Sequence, residues 1–331
     1  MQINPKYKRL LNYVFGPILF VILAFSIYHK ITSQHDLENE WNSISETMTH
    51  NRYLLLVMLL LMCMNWSVEA RKWQLLIKPV QDVSIFTGFK AVLSGLSFSL
   101  FIPNGAGEYL GRMLYLNDGN RLRSVAVSFV GSLSQVLVTL IIGVIGLHYL
   151  LSEAPAFGAQ TIGLSKFWLT ALLYAVYIFI IFFLLLYFKI SLVVTWFERI
   201  PFVHKHRVFV NSLEQFDNPL LIRILLLSFV RYIIFIAQYM LMFYLCDVQI
   251  SAMMTISAVS VLFLLLAIIP TIPIAELGVR GEISIKIFGL LTQNTLGVIT
   301  AAALIWLINI IIPSLFGSLF VLGLRIFKKK M

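Results

Sequence analysis

The chain has 331 residues, of which 60% are hydrophobic and 12% are charged, and its mean hydropathy is +0.90. A water-soluble domain of this length cannot bury so much apolar surface, so the composition excludes a soluble globular protein and predicts one that lies in a membrane. The formal net charge of +10 could suggest nucleic-acid binding, but the basic residues lie mainly in the segments between apolar runs, which is typical of membrane topology.

Apolar runs recur along the whole chain, and many are long enough to cross a bilayer. They predict six spanning helices, at residues 10–28, 53–68, 124–151, 166–188, 220–246 and 296–324. Two further apolar stretches, residues 84–116 and 252–291, are each interrupted by proline and charge, and we interpret them as broken, re-entrant helical hairpins. The longest polar segment, the loop 189–219, is too short to hold a core of its own. The sequence therefore predicts an all-α polytopic protein with a single transmembrane domain, residues 1–331.

Lysine and arginine alternate between successive loops. The N-terminal segment, the loop after residue 68, the loop after residue 116, the loop 189–219 and the C-terminal segment are basic, whereas the loops between them carry few bases. The alternation is unbroken only if each interrupted stretch returns to the side from which it entered. By the positive-inside rule, both termini and the loop 189–219 are then cytoplasmic. The positive charge is explained by topology, and we expect no nucleic-acid partner.

The two interrupted stretches carry similar motifs, "IPNGAGEYLGRM" at residues 102–113 and "IPTIPIAELGVRGE" at residues 269–282. In each, Glu and Arg lie four residues apart, as Glu108 with Arg112 and Glu276 with Arg280, which places them on one face of a helix. The order span, span, hairpin, span occurs twice, and the two hairpins enter from opposite sides. This pattern predicts an inverted-topology repeat, with halves 10–151 and 166–324, of the kind found in many secondary transporters.

Proline and glycine at the two motifs predict the hairpin turns, because proline ends a helix and glycine permits a sharp turn. The predicted turn residues are Pro103, Asn104, Gly105 and Gly107 in the first hairpin and Pro273 and Gly278 in the second. Irregular backbone at membrane depth survives only when it is buried in protein or lines a wet cavity. The two broken helices are therefore predicted to meet near the middle of the membrane and to form a substrate site there.

Charged residues at membrane depth are costly and indicate a functional site. The predicted substrate-binding residues are Glu108, Arg112, Arg231, Glu276, Arg280 and Glu282. Arg231 has no acid three or four residues away, so we predict a partner from another segment: Glu276 first, with Glu282 and Glu108 as alternatives. A purely structural role for the Glu–Arg pairs stays open. We interpret the sequence "EARKW", which contains Glu69 and Lys72, as an anchor at the membrane surface.

Metal and cofactor chemistry is not predicted. The two cysteines, Cys63 and Cys246, lie in or beside apolar runs and cannot build a disulfide framework or a metal site. No zinc-protease motif, glycine-rich phosphate loop or Ser/His/Asp set occurs in a credible context. We therefore expect neither a metal nor a cofactor.

With these residues, the chain resembles the flippase-like integral membrane family known as the lysylphosphatidylglycerol synthase transmembrane region. Residues 69–76 are similar to its Arg/Trp element, residues 103–112 to its first Pro-Gly-x-x-Gly-Glu…Arg motif, and residues 273–282 to its second Pro-Gly-Gly-x-Gly-x-Arg-Glu motif. The chain departs from the second motif at Ile274 and Ala275, which replace Gly-Gly, and at Gly281, which separates Arg280 from Glu282. The resemblance implies a bacterial cytoplasmic membrane protein. We expect it to stand alone, without the soluble aminoacyltransferase domain of some members, so the synthase activity is not carried over.

The leading hypothesis is a flippase-like protein that binds or translocates a membrane lipid with a phosphate headgroup. The arginines would bind the phosphate by charge-assisted hydrogen bonds, and the glutamates would orient the arginines. One alternative is an intramembrane transferase that acts on a lipid-linked substrate, with a carboxylate as its base. Another is a non-transporting partner of a separate lipid-modifying membrane enzyme.

Overall fold

The computed structural model describes residues 37–100, 102, 106–153, 166–189, 216–269 and 273–327, and all regular structure within them is helical. The helices are α1 (Leu37–His50), α2 (Arg52–Ile77), α3 (Ile85–Ser99), α4 (Ala106–Met113), α5 (Arg121–Glu153), α6 (Lys166–Phe188), α7 (Asn218–Leu245), α8 (Ala252–Ile268), α9 (Pro273–Phe288), α10 (Thr295–Trp306) and α11 (Ile312–Phe327). A short 3-10 turn, Asp118–Asn120, precedes α5, and a π-helical segment, Leu307–Ile311, joins α10 to α11.

Four helices in the described residues are long and apolar enough to cross a membrane: Arg52–Ile77, Asp118–Glu153, Asn218–Leu245 and Thr295–Leu322. They correspond to four of the six predicted spans, and the chain is therefore a multi-pass membrane protein. The prediction at residues 166–188 has the same bounds as the helix α6. The first predicted span, residues 10–28, lies outside the described residues.

Two helix boundaries differ from the sequence prediction. α2 continues to Ile77, nine residues beyond the predicted end at Val68, because charged residues lower the local hydropathy without ending the helix. The predicted loop 29–52 contains the helix α1. Trp41, Ile44 and Met48 recur along α1 at helical spacing, and Ile44 is buried. The predicted loop 189–219 lies mostly outside the described residues.

Each interrupted stretch forms a pair of shorter helices, α3 with α4 and α8 with α9. α3 and α4 run antiparallel in close contact, because a Cβ on Gly111 would lie 2.4 Å from Gly95 Cα and one on Gly107 would lie 2.4 Å from the Phe98 carbonyl carbon. Gly95 and Gly111 therefore let the two backbones approach, as small residues do between membrane helices.

Two of the six predicted turn residues lie inside helices. Gly107 lies inside α4 and Gly278 inside α9, so the prediction that they form turns is wrong for both. Gly107 serves close packing against α3, since a side chain there would clash with the α3 backbone. Pro273 is the first residue of α9, a position where its missing N–H costs nothing. The residues at 103–105 lie outside the described part of the chain.

α5 and α8 form another close pair, again through small residues. A Cβ on Gly143 or Gly146 of α5 would lie within 3 Å of side-chain or backbone atoms of α8. Ser257 and Ser260 of α8 face these two glycines. This contact joins the candidate span that contains α5 to the second interrupted stretch.

Candidate functional site

A buried cluster of four charged side chains joins α2, α4 and α7. The Glu69 carboxylate lies 2.7 Å from Lys72 Nζ, 2.8 Å from Arg231 Nη1 and 3.0 Å from Arg112 Nη2. Lys72 and Arg231 share one carboxylate oxygen, and Arg112 binds the other. Only 4% of Glu69 is exposed. A single carboxylate therefore binds cations from three helices, and we call these four residues the Glu69 cluster.

The Glu69 cluster corrects two expectations. Glu69 and Lys72 are buried in the helix bundle, so their interpretation as a surface anchor is wrong. The carboxylate that binds Arg231 is Glu69, so the prediction of Glu276 as its partner is also wrong. One signal was present in the sequence: Asn65, Glu69 and Lys72 recur at spacings of four and three residues, which places polar groups on one face of an apolar helix.

Arg231 is held from several directions. Its Nε donates a hydrogen bond of 2.7 Å to Asn65 Oδ1 on α2. Its guanidinium carbon lies 5.0 Å from the Trp66 ring centroid and 5.6 Å from that of Phe235, within cation–π distance. Asn65 in turn donates to Asn309 in the π-helical segment, at 3.5 Å. These contacts fix the guanidinium in place before any ligand binds.

The two predicted Glu–Arg pairs are both formed. Arg112 Nη2 lies 3.2 Å from Glu108 on α4, and Arg280 Nη2 donates to Glu276 on α9. Each arginine also reaches a spanning helix. Arg112 binds Glu69 on α2, and Arg280 Nη1 donates to the Tyr239 hydroxyl on α7 at 2.8 Å.

A cavity of about 290 Å³ lies where these groups meet, and we call it the arginine cavity. It is lined by Trp66, Leu96, Ser99, Glu108, Arg231, Phe235, Glu276, Arg280, Ile305, Asn309 and Ile310. Four of the six predicted site residues are among them, drawn from α4, α7 and α9. Arg112 adjoins the cavity through its contact with Glu108. Glu282 is not among the lining residues, and its carboxylate lies 3.8 Å from Lys286 Nζ.

The charges of the cavity and the adjoining Glu69 cluster do not cancel. Among the described residues they comprise three carboxylates, Glu69, Glu108 and Glu276, and four cations, Lys72, Arg112, Arg231 and Arg280, which leaves one positive charge.

Three buried N–H groups on residues that line or adjoin the cavity have no acceptor within the described part of the chain: Arg112 Nε, Arg280 Nε and Trp66 Nε1. A buried donor without an acceptor is costly. The arrangement therefore suits an anionic group rich in acceptor oxygens, such as phosphate. The described residues contain no group of three or more His, Cys, Asp or Glu side chains that could hold a metal.

A larger pocket, of about 770 Å³, lies between α1 and the connection from α7 to α8. Its titratable lining groups are Glu46, His50, Tyr244 and Asp247, with no lysine or arginine among its lining residues. It is the larger of the two, but its charge does not suit a phosphate, and it contains none of the predicted site residues. We therefore assign the candidate site to the arginine cavity.

A comparison with curated proteins found no match. The family of the lysylphosphatidylglycerol synthase TM region matches residues 11–317, nearly the whole length of the sequence. The chain belongs to this family, the lysylphosphatidylglycerol synthase TM region.

Proposed function

We propose that the chain binds the phosphate-bearing headgroup of a membrane lipid in the arginine cavity and moves the lipid between the two leaflets. The observation that carries the proposal is the combination of one surplus positive charge with buried N–H donors that lack acceptors among the described residues. A cavity of this kind lowers the cost of bringing a phosphate away from the membrane surface, because fixed donors replace its water.

The architecture that we propose for this movement is an inverted-topology repeat. Six spans, including residues 10–28 and 166–188, would surround two re-entrant hairpins, α3–α4 and α8–α9, in one domain of residues 1–331. The antiparallel contact of α3 with α4 supports the first hairpin. The Glu–Arg pair on the second helix of each hairpin, beside one shared cavity, supports the repeat. The alternating lysines and arginines support cytoplasmic termini. The resemblance to the family implies the cytoplasmic membrane of a bacterium.

The roles of the side chains follow from their existing contacts. Arg231 and Arg280 line the cavity and would bind phosphate oxygens, with Arg112 as a neighbouring cation. Glu108 and Glu276 each accept a hydrogen bond from an arginine and would hold that arginine in place, or meet a cationic part of the headgroup. Glu282 has no direct contact with the headgroup in this proposal, since it does not line the cavity.

The family's description names lysylphosphatidylglycerol, so phosphatidylglycerol and its aminoacylated form are the first lipids to test. The chain should be purified in a mild detergent and its bound lipids identified by native mass spectrometry. We expect a co-purified phospholipid, and we expect Arg280→Gln to lose it. Arg223→Gln is the matched control, because Arg223 is an exposed arginine on α7 that does not line the cavity.

The alternatives give different results in the same preparation. A transferase would convert a lipid-linked substrate covalently when purified, although the two lining carboxylates are already bound by arginines. A non-transporting partner would act only together with a second membrane protein. Absence of any bound phospholipid from the native chain would contradict the proposal.

A further inference from the structure

A further pocket, of about 200 Å³, lies between α2, α3 and α11, and we call it the apolar pocket. Its lining surface is apolar throughout and includes the side chains of Phe89, Leu93 and Phe320. No polar atom of the described residues contributes to this lining surface, so the pocket offers a headgroup no hydrogen bond. The pocket therefore suits a hydrocarbon segment and not a polar ligand.

The apolar pocket and the arginine cavity share a wall. Trp66 lines both of them, and its ring lies against the Arg231 guanidinium at 5.0 Å. The helix formed by α10, the π-helical segment and α11 also contributes to both, through Asn309 in the cavity and Pro313 in the pocket. Such π-helical segments often lie at functional sites. Trp66 and this helix therefore place the charged cavity directly beside the apolar pocket.

The apolar pocket borders the surface that faces lipid. Cys63 and Phe316 line it, and both are exposed, with 53% of the Phe316 side chain accessible. Leu315 and Leu319, beside Phe316 on α11, are exposed as well. α2 and the helix that contains α11 are both candidate membrane spans. Exposed apolar side chains on such helices contact hydrocarbon, so a chain can enter the pocket without crossing water.

We infer that the apolar pocket holds an acyl chain of the same lipid whose headgroup occupies the arginine cavity, with Trp66 packed between the two parts. The inference rests on the proposed function and adds the place where an acyl chain of the lipid binds. A soluble phosphate compound would use the cavity alone.

Cys63 is a native reporter for this inference. The chain has two cysteines, of which Cys63 is exposed and Cys246 is buried. The rate of Cys63 modification by a maleimide should be measured on the purified chain with dioleoylphosphatidylglycerol or with glycerol 3-phosphate, which has no acyl chains. At a lipid concentration about ten times the dissociation constant, we expect modification to slow about tenfold. Glycerol 3-phosphate should leave the rate unchanged.

A pair of variants gives a second measurement. Cys63→Trp fills the pocket and should weaken lipid binding about tenfold, as expected for a steric clash, while leaving the binding of glycerol 3-phosphate unchanged. Met64→Trp is the control, because Met64 is exposed and lines neither site, and it should bind the lipid normally.

Three results would count against the inference in distinguishable ways. Lipid that binds without slowing Cys63 modification overturns the acyl-chain site and leaves the proposed function intact. Equal effects of Cys63→Trp and Met64→Trp on lipid binding do the same. Binding of neither the lipid nor glycerol 3-phosphate by the native chain overturns both the inference and the proposed function.

Discussion

Replacing Glu69 with glutamine should destabilise the folded protein more than the loss of any exposed charge. The substitution keeps the size of the side chain but removes the carboxylate that Lys72, Arg112 and Arg231 share. Lys72 and Arg112 are almost fully buried, at 2% and 4% exposed, so water cannot replace the lost carboxylate. Removing one partner of a buried ion pair typically costs about 3–5 kcal/mol, and Glu69 is shared among three cations. Such a loss is a large part of an ordinary folding free energy of about 5–15 kcal/mol.

Thermal unfolding of the purified chain in detergent measures this effect. We expect the melting temperature of Glu69→Gln to fall by several degrees or the variant to be recovered poorly. The double variant Glu69→Gln with Lys72→Gln restores the charge balance and should be less destabilised than Glu69→Gln alone. Asp118→Asn is the control, because Asp118 is 87% exposed in its pair with Arg121 and should change little. A Glu69→Gln variant that melts like the native chain would refute the role of the Glu69 cluster.

Three further predictions test the packing and the topology. In a double-mutant cycle, Arg231→Gln and Glu69→Gln should show strong coupling in thermal unfolding, and additive effects would show that the two side chains do not act as a pair. Gly111→Leu should lower the yield of folded protein, because the added side chain would meet the α3 backbone. Gly119→Leu is its control, since a Cβ there meets nothing within 4 Å, and equal losses would contradict close packing of α3 and α4. A cysteine placed at residue 121 should react with a membrane-impermeant maleimide only from the cytoplasmic side, and labelling of intact cells from outside would rule out the first re-entrant hairpin.

The local features of the site could be predicted from the sequence. The spacing of Glu108 with Arg112, and of Glu276 with Arg280, indicates one helix face, and both ion pairs are formed. Four of the span predictions are confirmed because long apolar runs leave few alternatives to a membrane helix. The Glu–Arg spacing and the apolar runs could be used because each depends only on residues that are close together in the sequence.

The long-range features could not be predicted in this way. Glu69 binds a guanidinium 162 residues away, and no local spacing connects it with Arg231. The predicted second span also ends too early. A hydropathy scale counts Glu69 and Lys72 as two separate charges, whereas in the folded protein they form an ion pair. A glycine in the sequence is also ambiguous, because it can permit either a turn or a close helix contact. Gly107 suggests a turn, but in the structure it permits close contact between α3 and α4.

The central claim, that the chain moves a phosphate-headgroup lipid through the arginine cavity, is tested most directly in liposomes. The purified chain should be reconstituted with fluorescent phosphatidylglycerol, and the fraction of lipid in the outer leaflet followed by reduction with dithionite. The native chain and Arg223→Gln should make the inner-leaflet lipid accessible, whereas Arg280→Lys should not, because an ammonium cannot replace the guanidinium that binds Glu276 and Tyr239 together. Equal accessibility with Arg280→Lys and with the native chain, or none with the native chain, would contradict this account.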